Sequence, residues 1–360
     1  MIANPLLGVL FHWIGGLAAG SFYVPYRGVR RWSWEVYWIV GGVFSWIIAP
    51  ILFATFGSHD VWGVLSRAPF ETLAWCYFFG VLWGFGGLTF GLTMRYLGMS
   101  LGMAIALGFS AAIGTLLPPI VSGAIVSFMQ TLGGLVTLGG VVFCMIGITI
   151  VGLAGHRRER ETADRGKAVP EFNLRKGVSI AIFSGVMSSC FSYGLASGDP
   201  IRKLSLEAGT DPLMQSLPVL VVVLLGGFTT NFIWSLMLIV RNRTGAQFFG
   251  EPAPAPAGVA QEDLPARPPL LRNYALCAAA GVIWYLQFYF YSQGEVQMGR
   301  FGFASWTLHM SSIIIFSSLW GFALKEWKGA SVAALTRFWF GLVVLIGATA
   351  LIGLSNLLDA

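Results

Sequence analysis

Long apolar stretches separated by short polar segments run through almost the whole of this 360-residue chain. Stretches such as Gly133–Gly155 and Val219–Val240 contain no charged residue. Because about 20 consecutive apolar residues cross a bilayer as an α-helix, the pattern predicts an all-α, polytopic membrane protein. Ten transmembrane helices are predicted, near residues 5–25, 34–56, 70–94, 98–122, 131–155, 175–198, 213–240, 272–294, 301–324 and 335–356.

Composition agrees with this class, since 56% of the residues are hydrophobic and 11% are charged. The first apolar segment has no basic residue before it and a basic loop after it, so we interpret it as a membrane helix rather than a signal peptide. The 4 cysteines lie in apolar segments without Cys-x-x-Cys spacing. They are predicted to be small core residues, and no metal site is expected.

The lysines and arginines indicate the orientation in the membrane. With the N-terminus outside, all but four of the 22 fall in loops on the cytoplasmic side, the exceptions being Arg67, Arg202, Lys203 and Arg300. The positive-inside rule therefore predicts that both termini face the external side of the cell inner membrane, which requires an even number of helices. The net charge of +6 reflects this topology, so no nucleic-acid partner is expected.

Two loops divide the chain into parts. A strongly basic segment, residues 156–175, is predicted to be a cytoplasmic loop between a first five-helix repeat (1–155) and a second one (176–360). Residues 250–269 are rich in proline and alanine, a composition typical of an extended flexible linker within the second repeat.

Several motifs resemble those of the L-rhamnose–proton symporter family of the drug/metabolite transporter superfamily. They occur in order from the first helix to the last loop, and so cover nearly the whole chain. They are FYVP at Phe22–Pro25, WSWE at Trp32–Glu35, GLTMRYLGMS at Gly91–Ser100, WYLQF at Trp284–Phe288, LHMS at Leu308–Ser311 and LKEW at Leu324–Trp327.

The resemblance implies ten helices arranged as two inverted five-helix repeats around a central cavity, and proton-driven uptake of L-rhamnose or a related deoxysugar. It implies no cofactor besides the coupling proton. The chain departs from the family pattern at Gly86-Gly87 and Phe90, where Gly-Asn and Tyr are expected, and at Phe301-Gly302-Phe303, where Tyr-Asp-Tyr is expected. These replacements of polar by apolar groups leave the identity of the sugar open.

A proton-coupled transporter needs a group that titrates inside the membrane. The 16 acidic residues lie near predicted helix ends or in loops, and Glu35 adjoins a long apolar run on its own helix. Histidine titrates near neutral pH, which makes His309 and His12 the main candidates, with Glu35 as a third. Alternatively, the histidines are neutral and join helices by hydrogen bonds, while Glu35 stabilises a helix start capped by Ser33 or pairs with nearby arginines.

A sugar site needs neutral hydrogen-bonding groups and flat aromatic walls. Trp284, Gln287 and Tyr291 share one face of the eighth helix at spacings i, i+3 and i+7. The ninth helix adds His309 and Trp306. Further candidates are Asn231, an amide deep in an apolar run, together with Trp83 and Tyr193. The alternative for each is helix packing or a place in an interfacial aromatic belt.

Three functions remain open at this point. The first is proton–sugar symport, and the second is a metabolite or sugar exporter, or an uncoupled or sodium-coupled carrier of the same superfamily. An integral-membrane enzyme is disfavoured, because the 4 histidines are dispersed and no His-x-x-x-His motif occurs. A nucleotide-binding loop is also lacking, so no ATPase subunit is expected to drive transport.

Overall fold

A computed structural model of the protein describes residues 3–97, 99–163, 173–252, 267–325 and 327–358, and all regular structure in these ranges is helical. Short 3₁₀ segments and one π-helical turn (Phe44–Ile48) accompany the α-helices. In chain order the α-helices are α1 (Pro5–Ser21), α2 (Tyr23–Tyr26), α3 (Trp34–Val43), α4 (Ala49–Gly57), α5 (Val61–Arg67), α6 (Phe70–Leu97), α7 (Met99–Val121), α8 (Ala124–Phe128), α9 (Leu132–Ala163), α10 (Leu174–Ser197), α11 (Asp199–Glu207), α12 (Leu217–Asn242), α13 (Leu270–Gln297), α14 (Ser305–Ala323) and α15 (Val332–Leu354).

Nine helical segments among the described residues are long and apolar enough to cross a membrane. They coincide with nine of the ten predicted helices, and the tenth, near 301–324, corresponds to α14. This helix has 19 residues but carries several serines, a threonine and a histidine, which lower its hydropathy. Most of its first half is buried, so protein rather than lipid surrounds these polar groups, as membrane interiors require.

The long helices pack in a pattern that crosses between the two halves of the chain. In the first half, α1 packs against α13 and α14 of the second. In the second half, α10 packs against α6 and α7 of the first. Helix α9 of the first half packs against α15 of the second. The largest buried cluster therefore contains residues of both halves, among them Trp46 and Ile148 of the first and Phe191 of the second.

The basic segment predicted as a loop over 156–175 is shorter than expected. Helix α9 continues to Ala163 and α10 begins at Leu174, while residues 164–172 lie outside the described ranges. Glu161 explains part of the extension, because it pairs with Arg157 one turn earlier and accepts hydrogen bonds from the Ser331 hydroxyl and amide. The Ser331 hydroxyl, followed by Arg157, lowers the pKa of Glu161 to about 2.

The predicted proline- and alanine-rich linker, 250–269, lies largely outside the described residues, which resume at Arg267. On its two sides, α12 ends at Asn242 and α13 begins at Leu270. The division of the chain into two repeats at the basic loop stays a prediction.

Candidate sugar and proton site

Close packing of α1 against α13 and α14 depends on glycines. A Cβ on Gly16 would lie 2.3 Å from Cβ of Ser312, and a Cβ on Gly15 would lie 3.2 Å from the His309 ring. On the opposing helix, a Cβ on Gly294 would lie 2.8 Å from Nε2 of His12. Small residues let helix backbones approach closely in lipid. Here they bring His12, on α1, into the same buried layer as His309, on α14.

The two histidines and Tyr291 form the centre of this layer. Ring centroids are 5.3 Å apart between Tyr291 and His12, 5.3 Å between Tyr291 and His309, and 6.2 Å between the two histidines. All three side chains are buried. The sequence analysis named Tyr291 and His309 as candidates for one sugar site and His12 as a candidate proton carrier, and the packing of three helices brings the three together.

Gln287 lies one turn from Tyr291 on α13 and completes the polar part of the cluster. Its Oε1 is 3.4 Å from Nε2 of His309, at the long end of hydrogen-bond distances. Within the described part of the chain, no hydrogen-bond partner reaches Nε2 of Gln287, Nδ1 of His309 or either ring nitrogen of His12. Because buried polar groups are nearly always paired, this concentration of free donors and acceptors is typical of a ligand site.

Trp306 forms one aromatic wall beside the cluster. Its Nε1 donates to the Ser110 carbonyl at 3.0 Å, and its ring stacks on Phe191 at 5.7 Å. Gly114 makes room for the indole, because a Cβ there would lie 2.4 Å from it. The Tyr291 ring meets Trp306 edge-on at 5.7 Å. Trp306 is thus held in a fixed orientation by α7 and α10, with its indole N–H already used.

Trp83 and Trp284 lie further from the histidines than Trp306 does, behind phenylalanine rings. The Trp83 ring is 5.2 Å from Phe191 and 5.4 Å from Phe288. The Trp284 ring packs against Phe288 at 5.9 Å, and its Nε1 has no hydrogen-bond partner among the described residues. Both tryptophans border the cluster through phenylalanines rather than by contacting the histidines.

Asn231 and Tyr193 are engaged elsewhere. The Asn231 amide accepts from Trp38 Nε1 at 3.1 Å and donates to the Gly227 carbonyl at 2.9 Å. The Tyr193 hydroxyl donates to the Ile113 carbonyl at 3.1 Å. Each therefore makes the helix–helix or local hydrogen bonds that formed the alternative interpretation. Their roles in sugar binding stay predictions.

Glu35 lies apart from this cluster in the chain, in the first turn of α3. It is buried and accepts hydrogen bonds at 3.0 Å from the Asn242 amide and the Thr244 hydroxyl, so these neutral groups replace the expected arginine partners. Ser33 is the N-cap residue of α3, as the alternative interpretation had it, but its hydroxyl accepts from Gln247 and makes no capping bond to the helix. These bonds fasten α3 to the end of α12.

A cavity of about 530 Å³ lies between α1, α7, α9 and α14, at the end that carries the basic loops. Its rim includes the exposed side chains of Tyr23 and Arg27. Its lining includes Ile314, which belongs to the same apolar cluster as Trp306, and Leu107, which packs against that cluster. Ile314 follows His309 by about 7.5 Å along the helix axis, so an apolar floor separates the cavity from the histidines.

Sequence reasoning missed Ser110 and Phe191. Ser110 orients Trp306, and Phe191 stacks on it. A serine or phenylalanine within an apolar helix is common and gives no periodic signal, so only the packing of α7 and α10 against α14 reveals these two residues.

The described residues are helical and include nine candidate membrane spans, with a buried polar and aromatic cluster between them and a cavity near it. This is the architecture of a multi-pass membrane transporter. A known crystal structure shares the fold, with a TM-score of 0.54 and 14% sequence identity over 98% of this chain and 99% of the other.

Sequence comparisons identify the family. Residues 1–357 match the family described as L-rhamnose-proton symport protein (RhaT). Proteins named L-rhamnose-proton symporter from Salmonella paratyphi B, Salmonella newport and Salmonella typhimurium are each 36% identical over 352 residues, which cover 97% of this chain and 97% of each relative. The chain therefore belongs to the L-rhamnose-proton symporter family, a family of transporters and not of enzymes.

Proposed function

We propose that this protein imports L-rhamnose or a related deoxysugar together with protons across the cell inner membrane. The observation that carries the proposal is the buried cluster of Gln287, Tyr291, His309 and His12 at the junction of α1, α13 and α14. Family membership and the names of relatives that match over 97% of their length support it. Those names favour proton symport over an exporter or an uncoupled or sodium-coupled carrier.

The cluster has the chemistry that a neutral sugar requires. The free Nε2 of Gln287 can donate to a sugar hydroxyl, and the free ring nitrogens of the histidines can donate or accept. The rings of Tyr291 and Trp306 offer flat apolar surfaces for the C–H face of a pyranose. Trp284, Trp83, Asn231 and Tyr193 are proposed as outer members of the same site.

Proton coupling is proposed to run through His309, assisted by His12. Both rings lie in contact with Tyr291, so a sugar bound at this layer contacts the titrating groups directly. Sugar and proton then affect each other's binding, as symport requires. Glu35 is the alternative, and its buried carboxylate is held by neutral donors at the α12 end.

We further propose ten membrane helices in two inverted five-helix repeats, of the kind found in the drug/metabolite transporter superfamily. In this assignment α1 corresponds to α10, α3–α4 to α12, α6 to α13, α7 to α14 and α9 to α15. The packing supports this assignment. Helix α1 packs against α13 and α14, and its counterpart α10 packs against α6 and α7. In the same way, α3 packs against α13 and its counterpart α12 packs against α6. Such exchange is expected of repeats related by a two-fold axis.

Both termini are predicted to lie on the external side. A green fluorescent protein fused to the C-terminus and exported by the general secretory route should therefore be dark, because it does not mature outside the cytoplasm. The same reporter inserted within 164–172 should fluoresce and serves as the matched control. Bright fluorescence from the C-terminal fusion would reverse the proposed orientation.

Transport is tested in liposomes that contain the purified chain alone, without ATP, other subunits or added cofactors. An inwardly directed proton gradient should drive accumulation of radiolabelled L-rhamnose, and a protonophore should abolish it. A sodium gradient of equal size at constant pH is the control and should drive none. Accumulation driven by sodium, or equilibration without accumulation under either gradient, would contradict the proposed coupling.

A further inference from the structure

Arg202 forms a partly buried ion-pair network at the end of the molecule opposite the cavity. Its guanidinium is 3.4 Å from Oε2 of Glu295 and 2.7 Å from Oδ1 of Asp199, and it donates to the Leu195 carbonyl at 3.0 Å. The Arg202 side chain is only 14% exposed. This arginine therefore joins α11, the end of α10 and the last turn of α13.

The two carboxylates of the network differ in their surroundings. The Asp199 side chain is 69% exposed, whereas that of Glu295 is 24% exposed. An exposed ion pair adds little free energy because water screens it. A partly buried carboxylate depends on its cation, and its charge matters more to the fold around it. Glu295 is also exposed enough to exchange protons with water.

Glu295 begins a polar line that leads along α13 to the proposed sugar site. Glu295, Tyr291 and Gln287 follow one another at intervals of four residues, so they lie on one face of the helix. Tyr291 contacts both histidines. His12 also packs against Gly294, the residue preceding Glu295.

The groups around Glu295 set the local charge. Arg202 and Asp199 face it from α11, and Tyr291 faces it from its own helix. From α1, His12 is the nearest titratable group, and α10 contributes the Leu195 carbonyl. Arg300, after α13, lies over the Phe301 ring at 4.7 Å. With His12 neutral, Arg202, Asp199 and Glu295 together carry one net negative charge, which a single proton neutralises.

We propose that Glu295 is the group that takes up the transported proton from the external side, and that its pairing with Arg202 keeps this end of the transporter closed. The inference rests on the proposed symport and orientation. One proton from external water binds the Glu295 carboxylate, which becomes neutral and weakens its bond to Arg202, while Arg202 keeps Asp199. Helix α13 is then free to separate from α11, and the proton and sugar reach the layer of Tyr291 and the histidines.

The location of the cavity supports this role. The cavity opens at the end that bears Arg27, whereas Glu295 and Arg202 lie where α11 meets α13 at the other end. Alternating access requires that the two ends are not open together. An ion pair that one proton can weaken is therefore placed at the end that is closed in this conformation.

The test compares Glu295→Gln with the unaltered protein in the same liposomes. We expect Glu295→Gln to keep sugar counterflow, which needs no net proton movement, and to lose about tenfold or more of its gradient-driven accumulation, a typical size for a coupling effect. Glu71→Gln, at an exposed carboxylate on the first turn of α6, is the matched control and should change neither rate. Glu295→Asp, which keeps a carboxylate, should recover part of the accumulation.

The outcomes separate this inference from the proposed function. If the unaltered protein neither exchanges nor accumulates L-rhamnose, the proposed function fails. If it does both and Glu295→Gln still accumulates sugar normally, or loses counterflow as well, the role of Glu295 is overturned.

A test without substitution uses a lipid-soluble carbodiimide, which reacts with protonated carboxyl groups. Glu295 should be labelled more at acidic than at alkaline external pH, and equal labelling would also overturn the inference.

Discussion

Replacing Gln287 with alanine is expected to weaken sugar binding by about 1–3 kcal/mol, or roughly 5- to 150-fold in Kd. The Gln287 amide is buried and its Nε2 has no partner among the described residues, so a bound hydroxyl is the group that would satisfy it. Removal of the amide leaves that hydroxyl unpaired inside the protein. Isothermal titration or tryptophan fluorescence of the detergent-solubilised protein measures the change.

Gln215→Ala is the matched control for this prediction. Gln215 donates its amide to the Pro212 carbonyl in the turn before α12, away from the histidines, and its loss should leave the Kd unchanged. An unchanged Kd in Gln287→Ala, at normal folding yield, would remove Gln287 from the sugar site. It would then serve only to orient His309.

His309→Gln is expected to retain sugar counterflow but to lose most proton-driven accumulation, by about tenfold or more. Glutamine can still hydrogen-bond to Gln287 and to a sugar, whereas it cannot titrate near neutral pH as histidine does. The buried position of His309, in contact with Tyr291, makes its charge state sensitive to a ligand in the same layer. Uptake with and without a proton gradient separates the two activities.

Three variants accompany His309→Gln. His59→Gln, at an exposed histidine between α4 and α5, is the control and should transport normally. His12→Gln and Glu35→Gln test the other candidate proton carriers. If Glu35→Gln abolishes accumulation while His309→Gln does not, the proton route passes through the α3–α12 contact. Normal accumulation in all three variants would exclude His309, His12 and Glu35 as the coupling groups.

The helices themselves were largely predictable from local sequence. Apolar runs near 20 residues in length specify a membrane helix almost independently of their neighbours, because the bilayer satisfies no backbone hydrogen bonds. Nine predicted segments accordingly match candidate spans. The end of α9 was not predictable, since charged residues normally mark a loop, and here Glu161 is held by Ser331 from the start of α15.

The members of the cluster were predictable as polar residues in apolar helices, but the sequence could not separate them from candidates that pair elsewhere. Gln287, Tyr291 and His309 share a layer, whereas Asn231, which gave a comparable signal, is paired with Trp38. A polar residue in a membrane helix must find a partner, and the sequence does not say whether that partner is another helix or a ligand. Inter-helix packing decides between the two.

The sequence by itself determined the class of the protein, its helical segments, its family and the charge asymmetry that predicts its orientation. These depend on hydropathy, on residue counts and on motifs, which can be read from the linear sequence without knowledge of how the chain folds. Tertiary structure decided which of the polar residues meet, because glycines such as Gly15, Gly16 and Gly294 bring α1, α13 and α14 to within contact distance. It also decided that Glu295, near a helix end in sequence, lies against Arg202 rather than in open solvent, since the ion pair joins α11 to the last turn of α13, which are far apart in the chain.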